Sequence, residues 1–390
     1  MMNQNALILS GGGARAAYQV GVLSAIGRMV VKGSPLPFPI LCGTSAGALN
    51  ATMLATNAGN FTKAVSKLAF VWRHLTPERI YNMGRWPIAT SITKTLISLF
   101  HTQNHATPIA LMDNAPLREL LDNFLDFSNI DTAIANKNLI ALAVTAMSYS
   151  TGESTTFMQG SDMIGPWHDN RRRGILESIT TEHLLASSAI PGIFPAQKVQ
   201  NHFYGDGAIR QKSAIYPAIK MGAKKLFIIG VSGNRRANLQ SDLPDEYSAP
   251  SVAQILGQLL NSAFIDNLED DIHQLEIMNQ LIQDIPKDKR GPYELPSETL
   301  IISPSEEVNA IAEHYIDTLP KNIRVLIKAT GGSISQTASS AASYLLFTPE
   351  YCKAMMELGY KDAMLEKENI LKFFENDEQN TTSSNKAMVY

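Results

Sequence analysis

Cysteine is almost missing from these 390 residues: only Cys42 and Cys352 occur, each in an apolar or helical context. Two isolated cysteines without ligand-like spacing exclude a disulfide framework and a thiolate zinc site. Long apolar runs are missing too. No uninterrupted stretch approaches the ~20 residues that cross a bilayer. The opening "MMNQNALILSGGG" lacks the basic start and the long apolar run of a secretory signal, so the expected compartment is the cytoplasm. Neither sign of charge dominates. The 33 Lys and Arg against 36 Asp and Glu leave a net charge of -3, which argues against a dedicated nucleic-acid binder. One absence is local: no acidic residue precedes Glu78, while Arg15, Arg28, Lys32, Lys63, Lys67 and Arg73 all lie in that stretch. Such a segment tolerates anions. The plainer reading is small-residue packing with solvated basic ends.

What is present is ordinary for a globular chain: 45% hydrophobic and 18% charged residues, with length for one large domain or two smaller ones. "ALILS" (6–10) is a short apolar run stopped by glycine and predicts a buried parallel strand. From Ala14 to about Val31, apolar residues recur at helical spacing. "GSPLPFP" (33–39) is a connector, "ILCGTS" (40–45) a second strand, and "SAGALNATMLAT" and "FTKAVSKLAFVWRHL" two helices. Strand and helix alternate, which predicts an α/β fold with a parallel sheet covered by helices. Further on, "NLIALAVTAMSY" and "STGESTTFM" predict a strand, a turn at Thr151-Gly152 and an edge strand. "TEHLLASSAI" predicts a helix stopped by Pro191, and "HFYGDGAI" a strand ending in a turn. "SAIYPAIKMGA" is a helix that Pro217 either kinks or delays. "KLFIIGVSG" and "TLIIS" (299–303) are strands, and "FIDNLEDDIHQLEIMNQLIQ" (264–283) a long acidic helix. Residues 376–390 are polar and predict a frayed tail.

Three adjacent glycines, Gly11, Gly12 and Gly13, sit between the first strand and the first helix. The pattern fits a loose dinucleotide fingerprint, but the acid that should hold a ribose about 20 residues on is missing, and no Gly-Lys-Ser/Thr follows for a Walker loop. The other reading is an oxyanion site. Adjacent glycines let backbone N–H groups converge, a helix N-terminus follows, and Arg15 adds positive charge nearby. An oxyanion site needs a nucleophile. "GTSAG" (43–47) supplies one: Ser45 between Gly43 and Gly47, after an apolar strand and before a helix, in the context of a nucleophile elbow. The plainer reading of Ser45 is a helix-capping serine. A histidine is the usual base for such a serine, yet none of the eight histidines carries a recognisable motif. Asp206, in "YGDGAI", follows a strand-like run and is flanked by glycines, with Gly207 and Ala208 after it. Its plainer reading is an Asp-Gly turn. A Ser-His-Asp esterase and, further off, a nucleotide-binding module using the Gly11–Gly13 loop stay open at this point.

Taken in order, "GGGAR" (11–15), "GTSAG" (43–47) and "DGA" (206–208) resemble the patatin-like phospholipase family, and "ASSAIPGIFPAQ" (186–197) is similar to the segment that precedes the family's aspartate. The resemblance covers residues 5–232 well, and "SYLLFTPEYCKAMMELGYKDA" (343–363) resembles the C-terminal helices of bacterial members. It implies a three-layer α/β/α fold with a mainly parallel central sheet, akin to cytosolic phospholipase A2. Residues 5–232 would form the catalytic domain, 233–375 a mainly helical extension packed on it, and 376–390 a tail. It implies a Ser–Asp dyad without histidine: Ser45 as nucleophile, Asp206 as base, and the N–H groups of Gly11, Gly12 and Gly13 as the oxyanion hole with Arg15 in support. The substrate would be a lipid or fatty-acyl ester, with peripheral membrane contact, no cofactor, no metal and no nucleic acid. "WPIATSITKTLISLF" (86–100) reads as an amphipathic helix, either packed on the core or serving as a lid toward lipid.

Overall fold

A computed structural model describes residues 3–82, 110–233, 296–329 and 336–375, with scattered positions between 258 and 280. The candidate lid at 86–100, the tail at 376–390 and most of the acidic helix at 264–283 lie outside the described residues.

The first strand, β1 (Asn5–Leu9), is buried along its whole length. A 3-10 turn over Gly13–Ala16 leads into α1 (Ala17–Met29), so the helix starts three residues later than its apolar spacing predicts. Then follow β2 (Ile40–Thr44), α2 (Ala46–Ala55) and α3 (Phe61–Arg73). The Asn60 side chain caps α3 by accepting from the Lys63 N–H. Two helices, α4 (Ala115–Phe124) and α5 (Ser128–Ala135), precede β3 (Ala141–Ser148) and β4 (Ser154–Gly160). A small hairpin comes next, β5 (Trp167–Asp169) and β6 (Arg172–Leu176), followed by α6 (Thr181–Ser187). A second hairpin, β7 (Gln197–Val199) and β8 (His202–Asp206), leads to α7 (Tyr216–Lys220), with Pro217 in its first turn, and to β9 (Lys225–Ile229). The C-terminal part adds β10 (Glu298–Ile302), α8 (Val308–Glu313), α9 (Lys321–Ala329), α10 (Gln336–Leu345) and α11 (Pro349–Leu365).

The sheet runs β10-β9-β1-β2-β3-β4-β6-β5, and β8, with β7 beside it, joins at β3. β10, β9, β1, β2 and β3 are mutually parallel. Alternation along these strands divides the core between two faces. Leu7, Leu9, Leu41, Leu142, Val144, Phe227 and Ile229 face the layer that holds α1, α2, α3 and α11. Ala6, Ile8, Ile40, Cys42, Ala143, Leu226 and Ile228 face a smaller layer with Ala218 and Met221 around α7 and with Leu275. Both faces are covered, which is why the strands are apolar throughout rather than alternating. The result is a three-layer α/β/α sandwich with a mainly parallel centre.

One expectation is overturned. β4 is not an edge strand: β6 pairs with it in parallel, from Ser154↔Arg172 to Met158↔Leu176, and β5 lies beyond. The "WHDNRRRGIL" hairpin carries too few apolar residues to read as sheet, and only its pairing to β4 makes it one.

The site is positioned by β3. Its one edge is taken by β4 from Ala141 to Met147. On the other edge β2 pairs in parallel up to Thr44↔Thr145, and β8 runs in from the opposite direction, pairing Tyr204↔Ser148 through Asp206↔Ala146. β2 and β8 therefore meet head to head. The residue that follows β2 is Ser45, and the residue that ends β8 is Asp206.

Candidate active site

Ser45 turns the chain from β2 into α2 with φ 54° and ψ −130°, a conformation that non-glycine residues rarely adopt. The turn is tight because α2 starts directly against β1. A Cβ on Gly47 would lie 2.1 Å from the Leu9 carbonyl oxygen and 2.6 Å from that of Ser10. Gly43 is equally enclosed, against Ala48 and Gly47. The capping reading of Ser45 fails, since its side chain makes no cap hydrogen bond to α2. Its hydroxyl instead donates to Asp206 Oδ2 at 2.6 Å, and both side chains are buried.

Asp206 does two things at once. Its Oδ1 accepts from the Ala208 N–H at 2.9 Å, which makes the turn that "DGA" suggests. Its Oδ2 is left for Ser45. Gly207 is pressed against β3, where a Cβ would fall 2.2 Å from the Thr145 carbonyl oxygen. Full burial raises the Asp206 carboxyl to about 7, against the lowering effect of the Ser45 and Ala208 hydrogen bonds. Tyr149, half exposed beside Gly205, is raised by burial and by the Asp206 charge. Among the histidines with described hydrogen bonds, His74 bonds the Phe70 carbonyl, His168 Glu153, His183 Thr180, His202 Ser150 and His314 the Ala310 carbonyl. None of these partners is Ser45, whose hydroxyl bonds Asp206 Oδ2 instead.

The glycine loop reaches the same place from β1. Gly13 has φ +55°, and a Cβ there would lie 2.2 Å from the Tyr344 carbonyl oxygen. Gly12 packs on Val231, and its carbonyl accepts from the Arg15 N–H at 3.1 Å. Beneath the loop runs a buried polar chain. Trp72 Nε1 donates to Asn50 Oδ1, Asn50 Nδ2 donates to Gln19 Oε1, and Gln19 Nε2 donates to the Ser10 carbonyl just before Gly11. Arg15 turns toward the C-terminal helices. Its Nε donates to Ser343 Oγ and an Nη to Asn309 Oδ1, both at 2.8 Å, and its guanidinium lies 4.1 Å from the Tyr344 ring centroid.

Two supports of the elbow were not singled out from the sequence. Ser187, at the end of α6 and fully buried, accepts from the Ser45 N–H at 2.9 Å and donates to the Thr145 carbonyl at 2.6 Å. Thr44 Oγ1 donates to Gln211 Oε1 at 2.6 Å. Ser187 lies within the "ASSAIPGIFPAQ" stretch, but its chemistry is invisible until α6 is laid against β2 and β3.

Ser45 and Gly13 line a narrow apolar cavity of about 70 Å³. α2, α3, α4 and the 344–347 segment wall it with residues such as Met53, Trp72, Leu121, Phe194, Tyr344 and Phe347. Among the described residues no group of three or more His, Cys, Asp or Glu could hold a metal ion, and no helix is long and apolar enough to cross a membrane.

A family model described as patatin-like phospholipase matches residues 7–219, which run from within β1 through most of α7 and include Ser45 and Asp206. No curated protein matches the sequence. A solved structure of human GIVD cytosolic phospholipase A2, in complex with methyl gamma-linolenyl fluorophosphonate and terbium chloride, is similar at 11% identity with a TM-score of 0.41. The match covers 96% of this chain and 59% of that one.

Proposed function

The chain belongs to the patatin-like phospholipase family, and from that premise we propose that it is a serine lipid acyl hydrolase working through a Ser45–Asp206 dyad. The observation that carries the reading is the 2.6 Å hydrogen bond from Ser45 Oγ to a buried Asp206 oxygen, with Ser45 in the wall of an apolar cavity. Ser45 attacks the ester carbonyl and its proton passes to Asp206. A carboxyl raised to about 7 is a competent base near neutral pH, a role the ordinary carboxylate range would fill poorly. The N–H groups of the Gly11–Gly13 loop stabilise the oxyanion, where one donor is worth about 10²–10³ in rate. Asp206 then hands its proton to the leaving alcohol, and an acyl-Ser45 ester remains. Asp206 next takes a proton from water, the hydroxide attacks the acyl-serine, and the proton returns to Ser45 Oγ as the fatty acid leaves. Neither metal nor cofactor enters these steps. The acyl chain enters this cavity, whose almost wholly apolar wall suits a lipid or fatty-acyl ester. Arg15 supports the oxyanion loop by holding it to α8 and α10.

Alanine at Ser45 is expected to abolish ester hydrolysis and fluorophosphonate labelling, and Asp206→Asn to come close to doing so in a folded protein. Alanine at each of the eight histidines is expected to spare activity. A histidine variant as inactive as Ser45→Ala, yet folded, would replace the dyad with a triad.

A further inference from the structure

We propose that Ser187 is a positioning residue that sets the nucleophile against its base, by replacing with its own hydroxyl the sheet rung that the elbow breaks. The proposal rests on the Ser45–Asp206 reading.

Up to Thr44↔Thr145, β2 and β3 form an ordinary parallel ladder. One residue later the chain turns away at φ 54°, and the Ser45 N–H can no longer reach a β3 carbonyl directly. A buried N–H and a buried carbonyl would then be left unpaired, a cost that folded proteins avoid. The Ser187 hydroxyl lies between them. It accepts from the Ser45 N–H at 2.9 Å and donates to the Thr145 carbonyl at 2.6 Å, so both of its roles are used and the rotor is fixed. An alanine could fill the space but make neither bond. The Thr145 carbonyl is also the atom against which Gly207 packs, immediately after Asp206. One carbonyl is therefore shared by the anchor of the elbow and by the turn that carries the base. The hydroxyl that binds it determines how far Ser45 stands from Asp206.

A second consequence concerns the oxyanion. With its N–H held by Ser187, Ser45 has no main-chain donor to offer the oxyanion, so stabilisation falls to other N–H groups, those of the Gly11–Gly13 loop among them.

The test compares wild type with Ser187→Ala and Ser187→Thr on a short soluble ester, with kcat and KM measured across pH and the melting temperature recorded for each. Ser187→Ala is expected to lower kcat about 10- to 100-fold, since a displacement of roughly an ångström costs that much, and to change KM by less than about threefold. The acid limb of kcat is expected to move to higher pH, because an Asp206 that loses the Ser45 hydrogen bond holds its proton more tightly. Ser187→Thr, which keeps the hydroxyl, is expected to recover most of the rate and the original limb. A lower melting temperature alone does not discriminate, since any buried role predicts it. A Ser187→Ala enzyme with near wild-type kcat and an unmoved limb overturns the proposal, and so does a threonine variant that is folded but as slow as alanine. Should the alanine variant not fold, Ser187→Cys carries the same comparison, because a thiol is only a weak donor and acceptor; wild-type kcat and limb there also overturn it. Ser45→Ala and Asp206→Asn run alongside. If they stay active, the dyad reading fails; if they are dead while the Ser187 variants behave as wild type, only the positioning role fails.

Discussion

Replacing Asp206 by asparagine should stabilise the protein at alkaline pH while removing nearly all of its activity. The carboxyl is fully buried, and burial raises it from 3.8 to about 7. The native state thus binds this proton more tightly than the unfolded chain does. Below about pH 4 both states are protonated and the group's contribution is fully present. Between about 4 and 7 the unfolded chain ionises while the native protein does not, so stability falls as pH rises; above 7 the loss is complete and flat. At about 1.4 kcal/mol per pH unit between the two values, the ceiling is about 4 kcal/mol. Asparagine cannot ionise and escapes this loss. It can also keep both contacts: its oxygen can accept from the Ala208 N–H, and its NH₂ can donate to Ser45 Oγ. Denaturant unfolding of wild type and variant at pH 4 and pH 8 reads the difference, and all other titrating groups cancel between the two proteins. The variant is expected to be about as stable as wild type at pH 4 and roughly 2–4 kcal/mol more stable at pH 8. A difference that does not change with pH would show that burial leaves this carboxyl unperturbed, and the case for Asp206 as a base poised near neutrality would fall with it.

Gly47→Ala forces a Cβ to within 2.1 Å of the Leu9 carbonyl oxygen, so α2 must shift and carry Ser45 with it; soluble-ester turnover is expected to drop about 10²-fold. Leu121→Phe fills part of the cavity that opens at Ser45, and is expected to shift the ratio of short- to long-chain ester hydrolysis by at least about tenfold toward short chains. Arg15→Ala leaves Ser343 and Asn309 without the guanidinium that bonds them; denaturant unfolding should show a loss of roughly 2 kcal/mol or more. Arg15→Lys should rescue little, because an ammonium cannot reproduce the planar fork.

Local backbone demands are written in the sequence, and they account for what could be read from it directly. Short apolar runs that end in glycine mark β1 and β2, the glycines around Ser45 allow a turn other residues resist, and Asp-Gly-Ala caps its own turn. Strand–helix alternation then leads to a mainly parallel sheet covered on both faces, because helical crossovers join parallel strands. Other features depend on partners far along the chain. The β5–β6 hairpin becomes sheet only beside β4, and β10 extends the far edge from a segment about 70 residues after β9 begins. Arg15 is basic and near the glycines, but its direction is set by Ser343 and Asn309, some 300 residues away. Ser187 is one serine in a run of small residues, and nothing local distinguishes it from Ser188. Its role appears only where α6 crosses the end of β2, because a hydrogen bond depends on where two atoms stand and not on what precedes them in the chain.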